Sequence, residues 1–296
     1  MAVALVFPGQ GSQRPGMGAP WRSTPGWSLV EEAGQLLGRD LAALLTDADA
    51  EQLRATREAQ LSTLLVSLLV LRALPPGLPV AVVAGHSLGE LTALCAAGVL
   101  SEPDAVHLVA ERGEAMGTAA AQRPGTMAAV LGLEHEAVVR TCEELEDVWP
   151  ANDNAPQHVV VSGTVDGVAA ARDRLKQAGA RRVLPLPVGG AFHTPLMASA
   201  RPRLEAALSA VRYGEPHLPV LCNVTARPHD AQVPQLLSAQ LTAPVRWREQ
   251  LEQLRSYDVD TVVEVGAGGV LTGLTRRTLP EVRAVSVATP EDVEQL

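Results

Sequence analysis

Apolar positions along the chain follow two rhythms. Ala2–Phe7 is an unbroken apolar run ending in Pro8-Gly9-Gln10-Gly11, which reads as a buried strand feeding a glycine-opened loop. Trp27–Leu45 and Ala59–Ala73 carry apolar residues at helical spacing, and Pro75-Pro76-Gly77 ends the second. Pro79–Ala84 is a valine-rich run that predicts a strand, and Leu88–Ala97 and Ala105–Met116 predict helices after it. Strand, helices, strand, helix is the order of a parallel α/β layer.

The rhythm then changes. Met127–Leu133 predicts a strand, His135–Leu145 a helix, Val148–Asn152 and His158–Val161 two strands, Val165–Ala178 a helix and Arg182–Pro187 a strand. That βαββαβ order is the pattern of a ferredoxin-like unit. Gly125 precedes it and Gly189-Gly190 follows it, at the expected hinges. Afterwards the α/β order resumes: helix Leu196–Val211, strand Val220–Asn223, helix Trp247–Arg255, strand Thr261–Glu264, helix Val270–Arg276 and strand Arg283–Ser286. The expected architecture is α/β, a core of residues 1–124 and 190–296 interrupted by a subdomain over 125–189.

Composition narrows the function classes. The chain has 296 residues, 47% hydrophobic and 19% charged, which fits a folded globular protein. It has four Trp, two Tyr and two Phe and a net charge of −9, so a base-stacking or phosphate-binding surface is a poor fit and no nucleic-acid partner is expected. Cys95, Cys142 and Cys222 are far apart and form no CxxC pair, which argues against disulfides or structural zinc and for a reducing cytoplasm. Met1–Phe7 carries no basic residue, so it is no signal peptide, and the Leu61–Leu71 stretch is too short and too interrupted to span a membrane. The termini lie close to the first and last strands, so a free-standing protein is expected.

Gly85-His86-Ser87-Leu88-Gly89 follows a predicted strand and opens a predicted helix, the setting of a nucleophile elbow. The glycines permit a sharp turn that exposes the Ser87 hydroxyl, and the Leu88 amide at the helix start can stabilise an oxyanion. Among seven histidines, His193 stands where the inserted unit rejoins the core, facing the elbow across an expected cleft; it reads as a base or as a structural histidine. His86 should point away from its serine neighbour. His217 and His229 lie in turn-like, proline-bearing segments. Gln10, at the end of the first strand, could supply a second oxyanion donor or simply face water, and Arg112 by itself reads as a solvated helix residue. Gly266-Ala267-Gly268-Gly269 lacks dinucleotide-loop spacing and reads as a tight turn. Nothing in the spacing of His, Cys and acidic residues suggests a metal.

Seven segments together carry a resemblance. Pro8-Gly9-Gln10-Gly11-Ser12-Gln13, Gly85-His86-Ser87-Leu88-Gly89-Glu90, Glu111-Arg112-Gly113, Gly125-Thr126-Met127-Ala128-Ala129, Ala151-Asn152-Asp153-Asn154-Ala155-Pro156, Ala191-Phe192-His193-Thr194-Pro195 and Glu264-Val265-Gly266 occur in this order. The set resembles the malonyl-CoA:acyl carrier protein transacylases, including polyketide synthase acyltransferase domains, over essentially the whole chain. The resemblance implies an α/β-hydrolase-like core with a ferredoxin-like insertion. It implies Ser87 as acylated nucleophile, His193 as base, the Gln240 backbone carbonyl as the group orienting His193, and an oxyanion hole from the Leu88 and Gln10 amides. Arg112 would bind the free carboxylate of a malonyl group. Gln60, Phe192 and Met116 would line the pocket, with Phe192 crowding any α-methyl substituent. Ala267 stands where many relatives carry proline.

The implied partners are malonyl-CoA and an acyl carrier protein bearing phosphopantetheine, with no bound cofactor. Arg172, Arg174, Arg181 and Arg182 in the inserted unit are candidates for docking the carrier, since both proteins would be acidic overall. Rival readings are a transacylase for methylmalonyl or another extender, a malonate-decarboxylase transacylase subunit, a thioesterase-like hydrolase, or an inactive carrier-binding scaffold.

Overall fold

The computed structural model describes residues 2–296. Strands β1 (Val3–Phe7), β2 (Val80–Gly85), β7 (Val220–Leu221), β8 (Thr261–Val265) and β9 (Arg283–Val287) form a parallel sheet in the order β7-β2-β1-β8-β9. β1, β2 and β7 are continuously apolar because both faces are covered. Val3, Leu5, Phe7, Val83, Val263 and Val265 pack on one side with the long helix Thr56–Ala73, which is buried from Ala59 through Val70. Ala4, Val6, Val82 and Val262 pack on the other with Trp247, Leu251, Leu271 and Leu274.

Strands β3 (Thr126–Leu131), β4 (Val148–Ala155), β5 (His158–Gly163) and β6 (Arg182–Pro185) form a separate antiparallel sheet in the order β4-β5-β3-β6. Alternation along the strands separates its faces. Ala128, Val130, Val159, Val161 and Val183 pack under the helices His135–Glu143 and Val165–Gln177. Met127, Ala129 and Val160 turn the other way, into the cleft between the sheets.

The two layers are joined by backbone and by charge. Val245 N–H donates to the Ala151 carbonyl and Asp153 N–H to the Val245 carbonyl, both at 2.9 Å. The buried Asp153 carboxylate pairs with Arg248 at 2.9 Å. The chain's two crossings between layers lie side by side: a Cβ added to Gly125 would come within 2.6 Å of the Ala191 methyl.

Several expected elements differ. The Trp27–Leu45 stretch is two helices, Ser28–Leu37 and Leu41–Thr46, because Gly38 ends the first with a left-handed φ of 61° and Asp40 caps the second. Leu196–Val211 is a 3₁₀ turn, Pro195–Ala200, then a helix, Arg201–Ala210; Pro202 lacks an amide proton and fits only the first turn. The strand expected at Val148–Asn152 runs on to Ala155, absorbing Pro150 at a bulge. The helices Val233–Gln240 and Pro290–Glu294 are additional to the expected elements, and each carries a proline in its first turn, where the missing N–H costs no intrahelical bond. No helix among the described residues is long and apolar enough to cross a membrane.

Candidate active site

The elbow is forced by sterics. A Cβ on Gly85 would lie 1.9 Å from the Gly89 carbonyl, and one on Gly89 would lie 2.0 Å from the Phe7 carbonyl. Only glycine lets strand β2, the turn and the helix Gly89–Ala96 approach so closely. Ser87 is held at a φ of 52°, a left-handed conformation that costs a non-glycine residue on the order of 1–3 kcal/mol. Asn223, just past β7, clamps the turn: its Oδ1 accepts from the Ser87 amide at 2.6 Å and its Nδ2 donates to the Gly85 carbonyl at 2.6 Å.

Ser87 Oγ lies 2.8 Å from His193 Nε2, and His193 Nδ1 lies 2.9 Å from the Gln240 carbonyl oxygen. A carbonyl can only accept, so Nδ1 carries the proton and Nε2 is free to take one from the serine. His193 is buried and also strained, with a φ of 60°. Burial, then the nearby Arg112 charge, pull its pKa down to about 3, leaving the imidazole neutral at neutral pH.

Arg112, read from sequence alone as solvated, is 2% exposed. Its Nη1 donates to Gln60 Oε1 at 2.8 Å, and its Nη2 to Gln240 Oε1 at 2.9 Å and to Ser87 Oγ at 3.0 Å. Burial lowers its pKa to about 10, so it stays charged at neutral pH. All three acceptors are neutral, and among the described residues no carboxylate forms an ion pair with it. A desolvated cation whose direct contacts are all dipoles, with the Glu90 carboxylate acting on it only through space, is a site for an anion.

The cavity in front of these groups has a volume of about 500 Å³ and sits at the carboxyl ends of β1 and β2, where open parallel sheets bind ligands. Gln10, Ser87, Arg112, Met116, Phe192 and His193 all line it. The Leu88 amide, at the helix start, donates to no protein group among the described residues. His86 points away from Ser87, as expected, with Nε2 2.8 Å from Asn154 Oδ1.

One further expectation needs correction. Gln60 does not line the cavity: it is fully buried behind Arg112, where its amide bridges Arg112 and the Met116 sulfur. The four candidate docking arginines are all exposed on the small layer. Arg172 and Arg174 lie on the helix packed against the far face of the small sheet, and Arg174 pairs with Glu144. Arg181 and Arg182 stand at the start of edge strand β6. Spacing also hid a trio, the buried Glu90 and Cys222 and the half-buried His229, whose ligand-type atoms lie within 4.8 Å of one another. Glu90 Oε1 faces His229 Nε2 at 2.6 Å, and its Oε2 accepts from Gln240 and Asn223, so its oxygens are already occupied. The glycine-rich turn is no phosphate loop: the Glu264 carboxylate accepts the amides of Gly269, Leu271 and Thr272 at the helix start, where a phosphate would sit.

Residues 4–290 match the family of acyl transferase domains. The chain is 38% identical over 301 residues to a malonyl CoA-acyl carrier protein transacylase of Bacillus subtilis, covering 99% of this chain and 95% of that protein. Its fold superposes on the crystal structure of a malonyl-CoA:acyl carrier protein transacylase from Xanthomonas oryzae with a TM-score of 0.94 at 39% identity, covering 99% of this chain and 96% of that one. It superposes equally on a malonyl-transacylase in complex with a type II PKS acyl-carrier protein, with a TM-score of 0.95 at 36% identity, covering 100% of this chain and 98% of that one.

Proposed function

The chain belongs to the acyl transferase domain family, and from that membership and the geometry of the cleft we propose that it moves a malonyl group from coenzyme A to the phosphopantetheine thiol of an acyl carrier protein. The product would feed fatty-acid or polyketide synthesis. The observation that carries the reading is the Arg112 guanidinium, buried, without a carboxylate partner among the described residues, and 3.0 Å from the Ser87 hydroxyl.

In the first half-reaction His193 Nε2 takes the Ser87 proton while Oγ attacks the thioester carbonyl of malonyl-CoA. The oxyanion develops toward the unpaired Leu88 amide, with the Gln10 amide as second donor. The C–S bond then breaks, coenzyme A leaves as its thiol with the proton returned by His193, and a malonyl-serine ester remains. In the second half-reaction His193 deprotonates the carrier's phosphopantetheine thiol, which attacks the ester and restores Ser87. Arg112 holds the free carboxylate throughout by a charge-assisted pair of hydrogen bonds. The imidazolium that forms in each step faces a neutral carbonyl rather than a carboxylate, which favours a thiol over the harder task of activating water.

The two layers support a division into an α/β-hydrolase-like core, 1–124 and 190–296, and a ferredoxin-like insertion, 125–189. The strand order β4-β5-β3-β6 and the βαββαβ sequence order favour the second; the strand–turn–helix setting of Ser87 favours the first. Three free cysteines suit a cytoplasmic enzyme. Arg172, Arg174, Arg181 and Arg182, all exposed on the small layer, are the proposed carrier-docking residues, with Arg174 also paired to Glu144.

Intact-protein mass spectrometry tests the reading. Incubation with malonyl-CoA should add one malonyl group to the wild type and none to Ser87→Ala, and holo-carrier protein should remove the adduct far faster than buffer does. A chain that takes up no malonyl group, or loses it equally fast to water, is not this transferase.

A further inference from the structure

The Cys222–His229 turn plays no part in the steps above, yet it reaches the catalytic centre. Backbone bonds from Cys222 N–H to the Arg227 carbonyl, Ala226 N–H to the Cys222 carbonyl and His229 N–H to the Val220 carbonyl fold it back on β7. The fold delivers the His229 imidazole to Glu90, three residues after Ser87, with side-chain exposures of 4% and 0%.

We propose that the buried His229–Glu90 pair is a positioning device that locks the Gln240 side-chain amide in the orientation that serves Arg112, and thereby sets the preference for carboxylated acyl groups. The inference rests on the function proposed above. Gln240 Nε2 donates to Glu90 Oε2 at 2.7 Å and to the Ser87 carbonyl at 3.0 Å. With both amide hydrogens directed there, Oε1 must face the other way, where it accepts from Arg112 Nη2 at 2.9 Å. A flipped amide would set its NH₂ against the guanidinium and its oxygen against the carboxylate, exchanging attractions for repulsions. The Glu90 carboxylate therefore decides the direction of the Gln240 dipole, and His229 is the donor that holds the carboxylate's other oxygen. Without His229 that buried oxygen loses its donor, and the carboxylate no longer has a single favoured orientation. The effect reaches Arg112 before His193, because His193 rests on the backbone of Gln240 and Arg112 on its side chain.

The test compares wild type, His229→Ala and His229→Gln, the last retaining an N–H donor. For each, kcat and KM for acylation by malonyl-CoA and acetyl-CoA are measured beside the melting temperature. His229→Ala should lower the malonyl-to-acetyl ratio of kcat/KM about tenfold, through slower malonyl loading, as expected for a binding group displaced by a fraction of an ångström. His229→Gln should restore most of the ratio. An unchanged ratio in His229→Ala, whatever happens to stability, overturns the proposal, and so does a glutamine variant no better than alanine. If His229→Ala does not fold, Glu90→Gln carries the same test: a similar fall in the ratio supports the proposal and an unchanged ratio overturns it. A wild type that loads neither acyl group overturns the function itself, which separates that failure from this one.

Discussion

Arg112 donates to the Ser87 hydroxyl at 3.0 Å, so the group proposed to select charge touches the atom proposed to form the bond. A malonyl thioester carries its carboxylate one methylene from the reacting carbonyl, and a cation beside the nucleophile matches that spacing. Selection and positioning are thus one contact.

Arg112→Ala should cut malonyl loading by about 10²-fold or more, the loss expected when one partner of a buried charged pair is removed. Loading from acetyl-CoA, which offers no carboxylate, should fall much less, so preference shifts toward acetyl. Arg112→Lys should recover little, because a point charge cannot replace a planar two-donor group. Competition between the two thioesters, read by intact mass, measures both effects; unaltered selectivity in Arg112→Ala would remove the residue from this role.

The base titrates far from its ordinary range. Burial and the Arg112 charge lower the His193 pKa from the usual 6.5 to about 3, so the acid limb of kcat/KM should lie well below pH 6.5. Arg112→Ala removes the second-largest lowering influence and should move that limb upward. The same shift affects stability. Between pH 6.5 and about 3 the unfolded chain binds a proton on this residue and the folded chain does not. Stability from this source is therefore present above pH 6.5 and lost as pH falls through that window. Denaturant midpoints of wild type and His193→Gln, compared across the window, report it as a weaker pH dependence in the variant.

At position 87 the usual order of alanine and glycine should invert. Both Ser87→Ala and Ser87→Gly abolish the acyl adduct, but the left-handed φ of 52° penalises a side chain. Ser87→Gly should be more stable than Ser87→Ala by about 1 kcal/mol, the scale of that steric penalty. Urea unfolding of the two variants checks it, and an alanine variant at least as stable would show that the turn holds no such strain.

Phe192 is 5% exposed, lines the cavity beside Met116, and lies over Gly190, whose added Cβ would approach its ring to 2.7 Å. By resemblance it is the residue expected to crowd a branch at the α-carbon. Phe192→Ser should raise methylmalonyl loading relative to malonyl by about tenfold, the usual value of accommodating one methyl group. Parallel acylation rates measure the ratio, and no change would mean that another wall excludes the branch.

Some of this was legible without a fold. The valine-rich runs of β1, β2 and β8 and the Gly85–Gly89 turn obey rules acting within a few residues, so periodicity and glycine spacing sufficed to identify two layers and the nucleophile elbow. Ordered motifs added the roles of His193 and Arg112 by resemblance. Local rules failed where a neighbour distant in sequence decides. Arg112 has acidic residues beside it and reads as solvated, but Gln60 and Gln240 from other helices enclose it. Gln60, a pocket wall by resemblance, stands behind that wall. The helix carrying Gln240 has Pro234 as its second residue and shows no clear period. His229 gives no sign in sequence of its contact with Glu90, since 139 positions separate them. Residues 10, 87, 112, 193, 223 and 240 converge because strands stack in the order β7-β2-β1-β8-β9 and the small sheet closes over their ends. Backbone propensity acts locally and specifies the elements. Burial and charge pairing act through space, and only the packed chain decides which buried group faces which.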